Sequence, residues 1–196
     1  MAPSVSVSIS ICINVVVVAW ATCILFVAAC DLSSLEPQAK ALQETGWWGT
    51  AHNNSSSRCN WYGVTWYADH GYVTVIEIDL TNVSLGTNLK LNFSSLPNLA
   101  RLDLRGTALQ GSIPPEIATL SELTYLDLSN NNFQGSIPLE IGMLSKLTYL
   151  NLSNNNLQEG SIPPEIATLS ELTYLDLSNN NLGSICWPFE IDWYVI

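Results

Sequence analysis

The sequence has 196 residues, an apolar content of 47% and a formal net charge of -11 at pH 7. This length allows one domain with additional segments, and the apolar content is ample for a buried core. The six lysine and arginine residues are scattered, which excludes a nucleic-acid-binding surface, because contacts to phosphate need clustered basic side chains. The acidity favours solubility and, to a lesser degree, cationic partners.

Residues 1–29 differ in composition from the rest of the chain. The run from Ile9 to Ala29 is almost wholly apolar, and no charged residue precedes Asp31. The small residues that end this run suit cleavage after Ala29, so residues 1–29 are predicted to be a secretory signal peptide. The run is also long enough to be an uncleaved membrane anchor, and residues 27–30 match a bacterial lipoprotein motif.

Residues 30–70 are predicted to form a cap for the array of repeats that follows. A short helix is expected over residues 32–45, where apolar residues recur on one face and Gly46 ends the pattern. The aromatic residues between Trp47 and Trp66 are interpreted as a hydrophobic lid. Such a lid is needed because the open end of a stack of repeats exposes apolar side chains.

Residues 71–185 contain five tandem repeats. The segment Ser112–Asn132 recurs letter for letter at Ser161–Asn181, which is an offset of 49 residues, and a diverged copy lies between them. A repeat unit of about half that offset indicates a solenoid. The frame L-x-x-L-x-L-x-x-N recurs with steps of 24, 24, 24 and 25 residues. Its three apolar positions are filled by Val75/Ile78/Leu80, Leu99/Leu102/Leu104, Leu123/Leu126/Leu128, Leu147/Leu150/Leu152 and Leu172/Leu175/Leu177.

Each part of the repeat has a physical role. The L-x-L alternation points two leucines inward from one strand. The asparagine at the ninth position (Asn131, Asn155 and Asn180) turns the chain, and its amide is expected to bond backbone groups of adjacent coils. Val83 and Thr107 stand at this position in the first two coils, so looser turns are expected there. The Gly-Ser-Ile-Pro and Glu-Ile-x-x-Leu segments that follow predict a bend and a short helical turn on the convex side.

These residues resemble the plant-specific leucine-rich repeat, L-x-x-L-x-L-x-x-N-x-L-x-G-x-I-P-x-x-I-x-x-L. The cap segment, with Gly46-Trp47-Trp48 and Cys59-Asn60-Trp61-Tyr62-Gly63-Val64-Thr65, resembles the N-terminal cap of plant leucine-rich-repeat receptor-like kinases. The resemblance covers roughly residues 31–185. It implies an α/β-type solenoid, namely a right-handed leucine-rich repeat superhelix with a parallel concave β-sheet and a short helical N-terminal cap.

The chain departs from that family in three respects. Trp66 stands where the family's cap has a second cysteine, so the usual disulfide to Cys59 cannot form. Residues 186–196 form an atypical apolar tail rather than a paired-cysteine cap. The sequence contains none of the protein-kinase motifs, so no catalytic residues are assigned and no enzyme activity or cofactor is expected. The isolated His52 and His70 lack the spacing of metal ligands, so no metal site is expected either.

The side chains between the inward leucines are expected to form columns on the concave surface and to bind a ligand. A tyrosine column beside a carboxylate column could hold a peptide with a basic end. The same residues are also close to the repeat's consensus, so duplication alone accounts for them. The candidate ligand-binding residues are Arg101, Arg105, Asp103, Asp127, Asp176, Tyr125, Tyr149 and Tyr174. Sequons for N-glycosylation occur at Asn53, Asn54, Asn82, Asn92 and Asn151.

The resemblance implies an extracellular module that binds a peptide or protein ligand, with a co-receptor kinase as a possible further partner. This places the protein in the secretory pathway, at the apoplast or the plasma membrane, with membrane attachment only through an uncleaved N-terminal segment. Two alternatives remain open at this stage. One is a secreted inhibitor of a cell-wall hydrolase, and the other is a truncated, non-functional receptor fragment.

Overall fold

The structure is a computed structural model that describes residues 36–48, 61–69, 72–158, 162–182 and 194–195. The predictions for residues 1–29, for Cys59 and for residues 186–193 of the apolar tail lie outside these ranges. The predictions for His52 and His70 lie outside them as well.

The part of the cap that the structure describes contains one helix and one hairpin. Helix α1 (Glu36–Glu44) ends two residues before Gly46, which adopts a φ of 72° that favours glycine. Strand β1 (Val64–Asp69) pairs antiparallel with β2 (Tyr72–Asp79). The predicted helix is confirmed, whereas the hairpin was missed because the sequence analysis interpreted the aromatic residues up to Trp66 as a lid and assigned no strand to them.

The aromatic residues of the cap cover the first coil, as predicted for a lid. Trp61 and Trp66 are buried, and Trp48 packs on Trp61 with ring centroids 5.2 Å apart. The Trp48 indole N–H donates to the carbonyl of Tyr62 at 2.9 Å. The core therefore holds Trp66, with 4% of its surface exposed, at the position where the resembled family has a cysteine. The bulk of the indole fills this end of the solenoid.

The concave sheet confirms the predicted alignment of the five repeats. Over the described residues it has seven strands in the order β1-β2-β3-β5-β7-β9-β10, and every neighbouring pair after β2 is parallel. The analysis of the tail did not predict the outermost strand, β10. The remaining strands are β3 (Arg101–Asp103), β4 (Gln110–Gly111), β5 (Tyr125–Asp127), β6 (Asn132–Gly135), β7 (Tyr149–Asn151), β8 (Asn156–Leu157), β9 (Tyr174–Asp176) and β10 (Tyr194–Val195).

A second parallel sheet of three strands, β4-β6-β8, forms the flank of the solenoid just after each turn. Short 3-10 helices follow on the convex side and confirm the predicted helical turns. They span Phe93–Ser95, Pro115–Thr119, Leu139–Met143 and Pro164–Thr168. The leucines and isoleucines of the repeat frame lie between these layers and are almost all below 5% exposed.

The asparagine ladder (Asn131, Asn155 and Asn180) joins successive coils. The Asn131 amide nitrogen donates to the carbonyls of Leu104, Leu128 and Ser129, and its oxygen accepts from the backbone N–H groups of Thr107 and Leu109. The expectation of a looser turn at Thr107 is wrong. This residue is fully buried, and its hydroxyl donates to the Leu104 carbonyl at 2.7 Å. The hydroxyl thus makes the bond to the carbonyl three residues earlier that the amides of Asn131 and Asn155 make in the next two coils.

Candidate functional site

The register of the concave sheet aligns the predicted ligand-binding residues into columns. Arg101 pairs with Tyr125, Tyr125 with Tyr149, and Tyr149 with Tyr174 across β3, β5, β7 and β9. Glu77 of β2 precedes Arg101 in the same column. Because the side chains of a strand alternate between its two faces, residues paired in this register share the face opposite the buried leucines.

The three tyrosines form a continuous stack, called here the tyrosine stack (Tyr125, Tyr149 and Tyr174). Ring centroids are 4.2 Å apart between Tyr125 and Tyr149 and 4.4 Å apart between Tyr149 and Tyr174, with interplanar angles of 8° and 2°. The rings are half-buried. Since both faces of Tyr149 are covered by its neighbours, the stack presents ring edges to a ligand.

Arg101 closes one end of the tyrosine stack. Its guanidinium carbon lies 3.6 Å from the Tyr125 ring centroid, which is a cation–π contact. The same guanidinium is held by Glu77 at 3.0 Å and by Asp103 at 2.8 Å. Arg101 is therefore a fixed part of the surface, and its charge is already compensated by two carboxylates.

The predicted carboxylate column lies deeper than the sequence suggested. This carboxylate row (Asp79, Asp103, Asp127, Asn151 and Asp176) sits beside the tyrosine stack, and its second and third members are fully buried. In the Asp127 coil, one carboxylate oxygen accepts from the Ser129 N–H at 2.9 Å and from its hydroxyl at 2.6 Å. Asp103 and Asp127 thus support the surface from below, whereas Asp176 is partly exposed. The alternation pattern could not reveal their burial. Ser129 follows Asp127 at two residues and bonds it, whereas Arg105 stands at that place after Asp103.

Asp103 and Asp127 differ in charge compensation. Asp103 accepts from Arg101 and from Arg105, whose nitrogen lies 3.2 Å away. The second oxygen of Asp127 has two contacts at 3.5 Å, to the Tyr125 hydroxyl and the Asn151 amide nitrogen. Within the described residues, Asp127 has no cationic partner, and it accepts only from neutral donors beneath the tyrosine stack.

The tyrosine hydroxyls remain protonated well into alkaline conditions. Burial raises the pKa of Tyr125, Tyr149 and Tyr174 above the usual value of tyrosine, and nearby carboxylates add to the rise because they disfavour a second negative charge. At neutral pH the stack is therefore an uncharged aromatic surface with hydroxyl groups directed at the carboxylate row.

The remaining predicted sites divide by exposure. Asn82 and Asn92 are exposed, while Asn53 and Asn54 lie outside the described residues. Asn151 is buried, and its amide nitrogen lies 3.4 Å from the Tyr149 hydroxyl. A glycan on that nitrogen would break the contacts of the carboxylate row. Within the described ranges, no three histidine, cysteine, aspartate or glutamate residues are grouped to hold a metal ion.

Among the helices in the described part of the chain, none combines the length and the apolar character of a membrane span.

The family model "Leucine Rich Repeat" matches residues 98–120, 122–144, 146–169 and 171–190. Comparison with curated protein sequences gives no match. The structure of the BIR2 ectodomain from Arabidopsis thaliana is similar with a TM-score of 0.65 and 27% identity, over 74% of this chain and 81% of that one.

Two further solved structures bear on function. The BIR3–SERK2 complex from Arabidopsis thaliana contains a chain that is 35% identical, with a TM-score of 0.57 and coverage of 68% of this chain and 71% of that one. A plant ice-binding protein is 31% identical with a TM-score of 0.64, over 75% of this chain and 49% of its own length.

Proposed function

Because this chain belongs to the leucine-rich repeat family and has the fold of plant receptor-kinase ectodomains, we propose that it is an extracellular protein-binding module. In this proposal the concave face contacts the extracellular part of a partner receptor or a peptide ligand. One similar solved structure is that of the BIR3–SERK2 complex, so complex formation is known for a chain of similar fold and length.

The tyrosine stack is the observation that carries this proposal. Three tyrosine rings held by mutual stacking offer a large contact area without the loss of side-chain entropy that a mobile surface would suffer on binding. Tyrosine is also enriched among the residues that dominate binding energy at protein interfaces. The fixed Arg101 and the buried Asp103 hold the first ring in place.

Charge defines the ligand that this surface favours. Asp127 has no cationic partner below the rings, Asp176 is partly exposed, and the whole chain has a net charge of -11. A segment with an apolar side chain packed against the ring edges and a basic group directed toward Asp176 fits these features. Arg105 lies at the other end of the row and reaches Asp103, so that end is electrostatically satisfied.

Binding to receptor ectodomains tests the proposal. The secreted protein is immobilised and exposed to a panel of plant receptor-kinase ectodomains that includes BIR3 and SERK2, and to synthetic peptides with basic ends. For any binder found, Tyr149→Ala is expected to weaken affinity at least about 30-fold, as for a central aromatic hot spot of about 2 kcal/mol. Asn132→Ala, which alters an exposed side chain on the flank, is the matched control. Equal affinity of both variants for every binder would refute the concave site.

We also propose entry into the secretory pathway through residues 1–29. N-terminal sequencing of the mature protein tests this directly. A first residue near Cys30 or Asp31 is expected for a cleaved signal peptide, whereas an intact Met1 would contradict cleavage.

Ice binding is a second candidate function, and the flank sheet favours it. The exposed side chains of β4, β6 and β8 are amides, namely Gln110, Asn132, Gln134 and Asn156, and these strands contain no charged residue. Each amide offers donors and acceptors, and parallel strands repeat them every ~4.8 Å. Ice is an uncharged periodic lattice of donors and acceptors, so such a surface suits it better than a charged one.

Inhibition of ice recrystallisation tests this second function. Asn132→Asp places a charge at the centre of the flank and is expected to abolish inhibition. Tyr149→Ala on the concave face is expected to leave it unchanged. No inhibition by the unaltered protein would eliminate the candidate.

A further inference from the structure

The middle copy of the repeat differs from its neighbours at a few positions that lie mainly on the convex side. Residues 112–132 and 161–181 are identical, so the first and third copies serve as internal references. The middle copy, residues 136–156, departs from them at five positions: Leu139 for Pro, Gly142 for Ala, Met143 for Thr, Lys146 for Glu, and Asn151 for Asp.

Two of these differences expose large apolar side chains on one 3-10 helix. Leu139 is 55% exposed and Met143 is 69% exposed, and they begin and end the helix Leu139–Met143. The neighbouring coils build the same helical turn with proline and threonine in these places. The fold therefore does not require apolar side chains at either position.

Leu139 lies in a shallow groove that crosses three coils. The groove has a volume of about 720 Å³, and its floor is formed by isoleucine and proline residues of the Ile-Pro segments, including Ile137 and Pro138. Glu140 and Glu165 line its edge. Lys146, the basic residue that distinguishes the middle copy, is bound to Glu122 at 2.6 Å and so does not compensate these carboxylates.

We propose that this convex groove, together with Met143, which is exposed at the far end of the 3-10 helix that Leu139 begins, docks a segment of another protein that presents apolar side chains flanked by lysine or arginine. The two exposed side chains supply the apolar contact, and Glu140 and Glu165 attract the basic flanks. This surface lies on the side of the solenoid opposite the tyrosine stack, so both sites can be occupied at once.

Charge selects this occupant over two others. A second copy of this chain would bring its own acidic rim against the first, and each copy has a net charge of -11. An anionic membrane surface would be repelled for the same reason. A basic segment with apolar residues gains from both features of the groove.

Fluorescence anisotropy with two short labelled peptides tests the proposal. One has Leu-Trp-Leu between lysines and the other has Leu-Trp-Leu between glutamates, so only the sign of the flanks differs. The lysine peptide is expected to bind at least about tenfold more tightly than the glutamate peptide. The double variant Leu139→Pro, Met143→Thr, which restores the residues of the neighbouring coils, is expected to lose about tenfold in affinity, equivalent to about 1.4 kcal/mol.

Two controls make the outcome decisive. The double variant is expected to keep the melting temperature and the circular dichroism spectrum of the unaltered protein, because both altered side chains are exposed and the new residues already form the same helical turn in the adjacent coils. Tyr149→Ala is expected to leave peptide binding unchanged, so the concave proposal and this one fail separately. Equal affinity for both peptides, no effect of the double variant, or dimerisation that the double variant abolishes would overturn the proposal.

Discussion

Replacement of Asn131 by alanine tests whether the asparagine ladder holds the coils together. The Asn131 oxygen accepts from two buried backbone N–H groups, those of Thr107 at 3.1 Å and Leu109 at 2.9 Å. A buried donor left without an acceptor costs about 1–3 kcal/mol, so Asn131→Ala is expected to reduce the free energy of unfolding by about 2–6 kcal/mol. The carbonyls of Leu104, Leu128 and Ser129 each keep another donor, so they add little to this loss.

The ladder also predicts a graded series. The Asn155 oxygen accepts from one backbone N–H, that of Phe133, so Asn155→Ala is expected to cost about 1–3 kcal/mol. Asn132 is exposed, and Asn132→Ala is expected to change stability by less than about 0.5 kcal/mol. Urea denaturation followed by circular dichroism gives the three values, provided that the slope against urea stays constant.

Hydrogen exchange adds the local evidence that a global transition cannot give. Solenoid stability is close to a sum of terms from each repeat and its neighbours. The amides of Thr107 and Leu109 are therefore expected to lose protection in Asn131→Ala. If Asn131→Ala and Asn132→Ala shifted the denaturation midpoint equally, the reasoning about buried donors would be refuted.

Three further predictions follow from the structure. Folding raises the pKa of the three tyrosines in the tyrosine stack. The stability that this shift contributes is therefore complete below about pH 10, the usual pKa of tyrosine, and is lost as pH rises through the higher pKa of the folded state. Replacement of all three tyrosines by phenylalanine is expected to remove this loss from urea midpoints measured between neutral and strongly alkaline pH. Gly142→Ala is expected to lower the melting temperature, because an added Cβ would lie 2.5 Å from the Glu165 carbonyl oxygen. Both neighbouring coils carry alanine at this position, so the effect is specific to the middle coil. An unchanged melting temperature would contradict the close approach. Mass spectrometry of the secreted protein is expected to find glycan on the exposed Asn92 and none on the buried Asn151, and a glycosylated Asn151 would show that the carboxylate row does not form as described.

The sequence contained enough information to predict the solenoid but not its flank sheet or its N-terminal hairpin. The leucine frame predicted which residues face the core, because a strict period leaves one register for the strands. The flank sheet was missed because its two-residue strands have no alternation to detect. The hairpin at Val64 was missed because its partner strand extends further back than the repeat frame.

The alignment of residues in the candidate site was predicted correctly, but the burial of its carboxylates was not. Alternation correctly aligned Tyr125 with Tyr149 and Tyr174, but it could not show that stacked rings cover each other's faces. It also treated Asp103 and Asp127 as surface carboxylates, whereas both are buried by the turn residues that bond them. The exposure of Leu139 and Met143 depends on how adjacent coils pack, and no local pattern encodes it.

The short outer strand has a consequence for how the molecule comes apart. Strand β10 offers two residue pairs to β9, whereas each inner neighbour in the concave sheet offers three. The coil of Tyr174 therefore has the fewest strand pairs on its outer side. Local unfolding is expected to start in this coil and to proceed inward one coil at a time. A protease added under mild denaturing conditions should trim the protein from this side first, while the ring of Tyr125 is still held beneath Arg101.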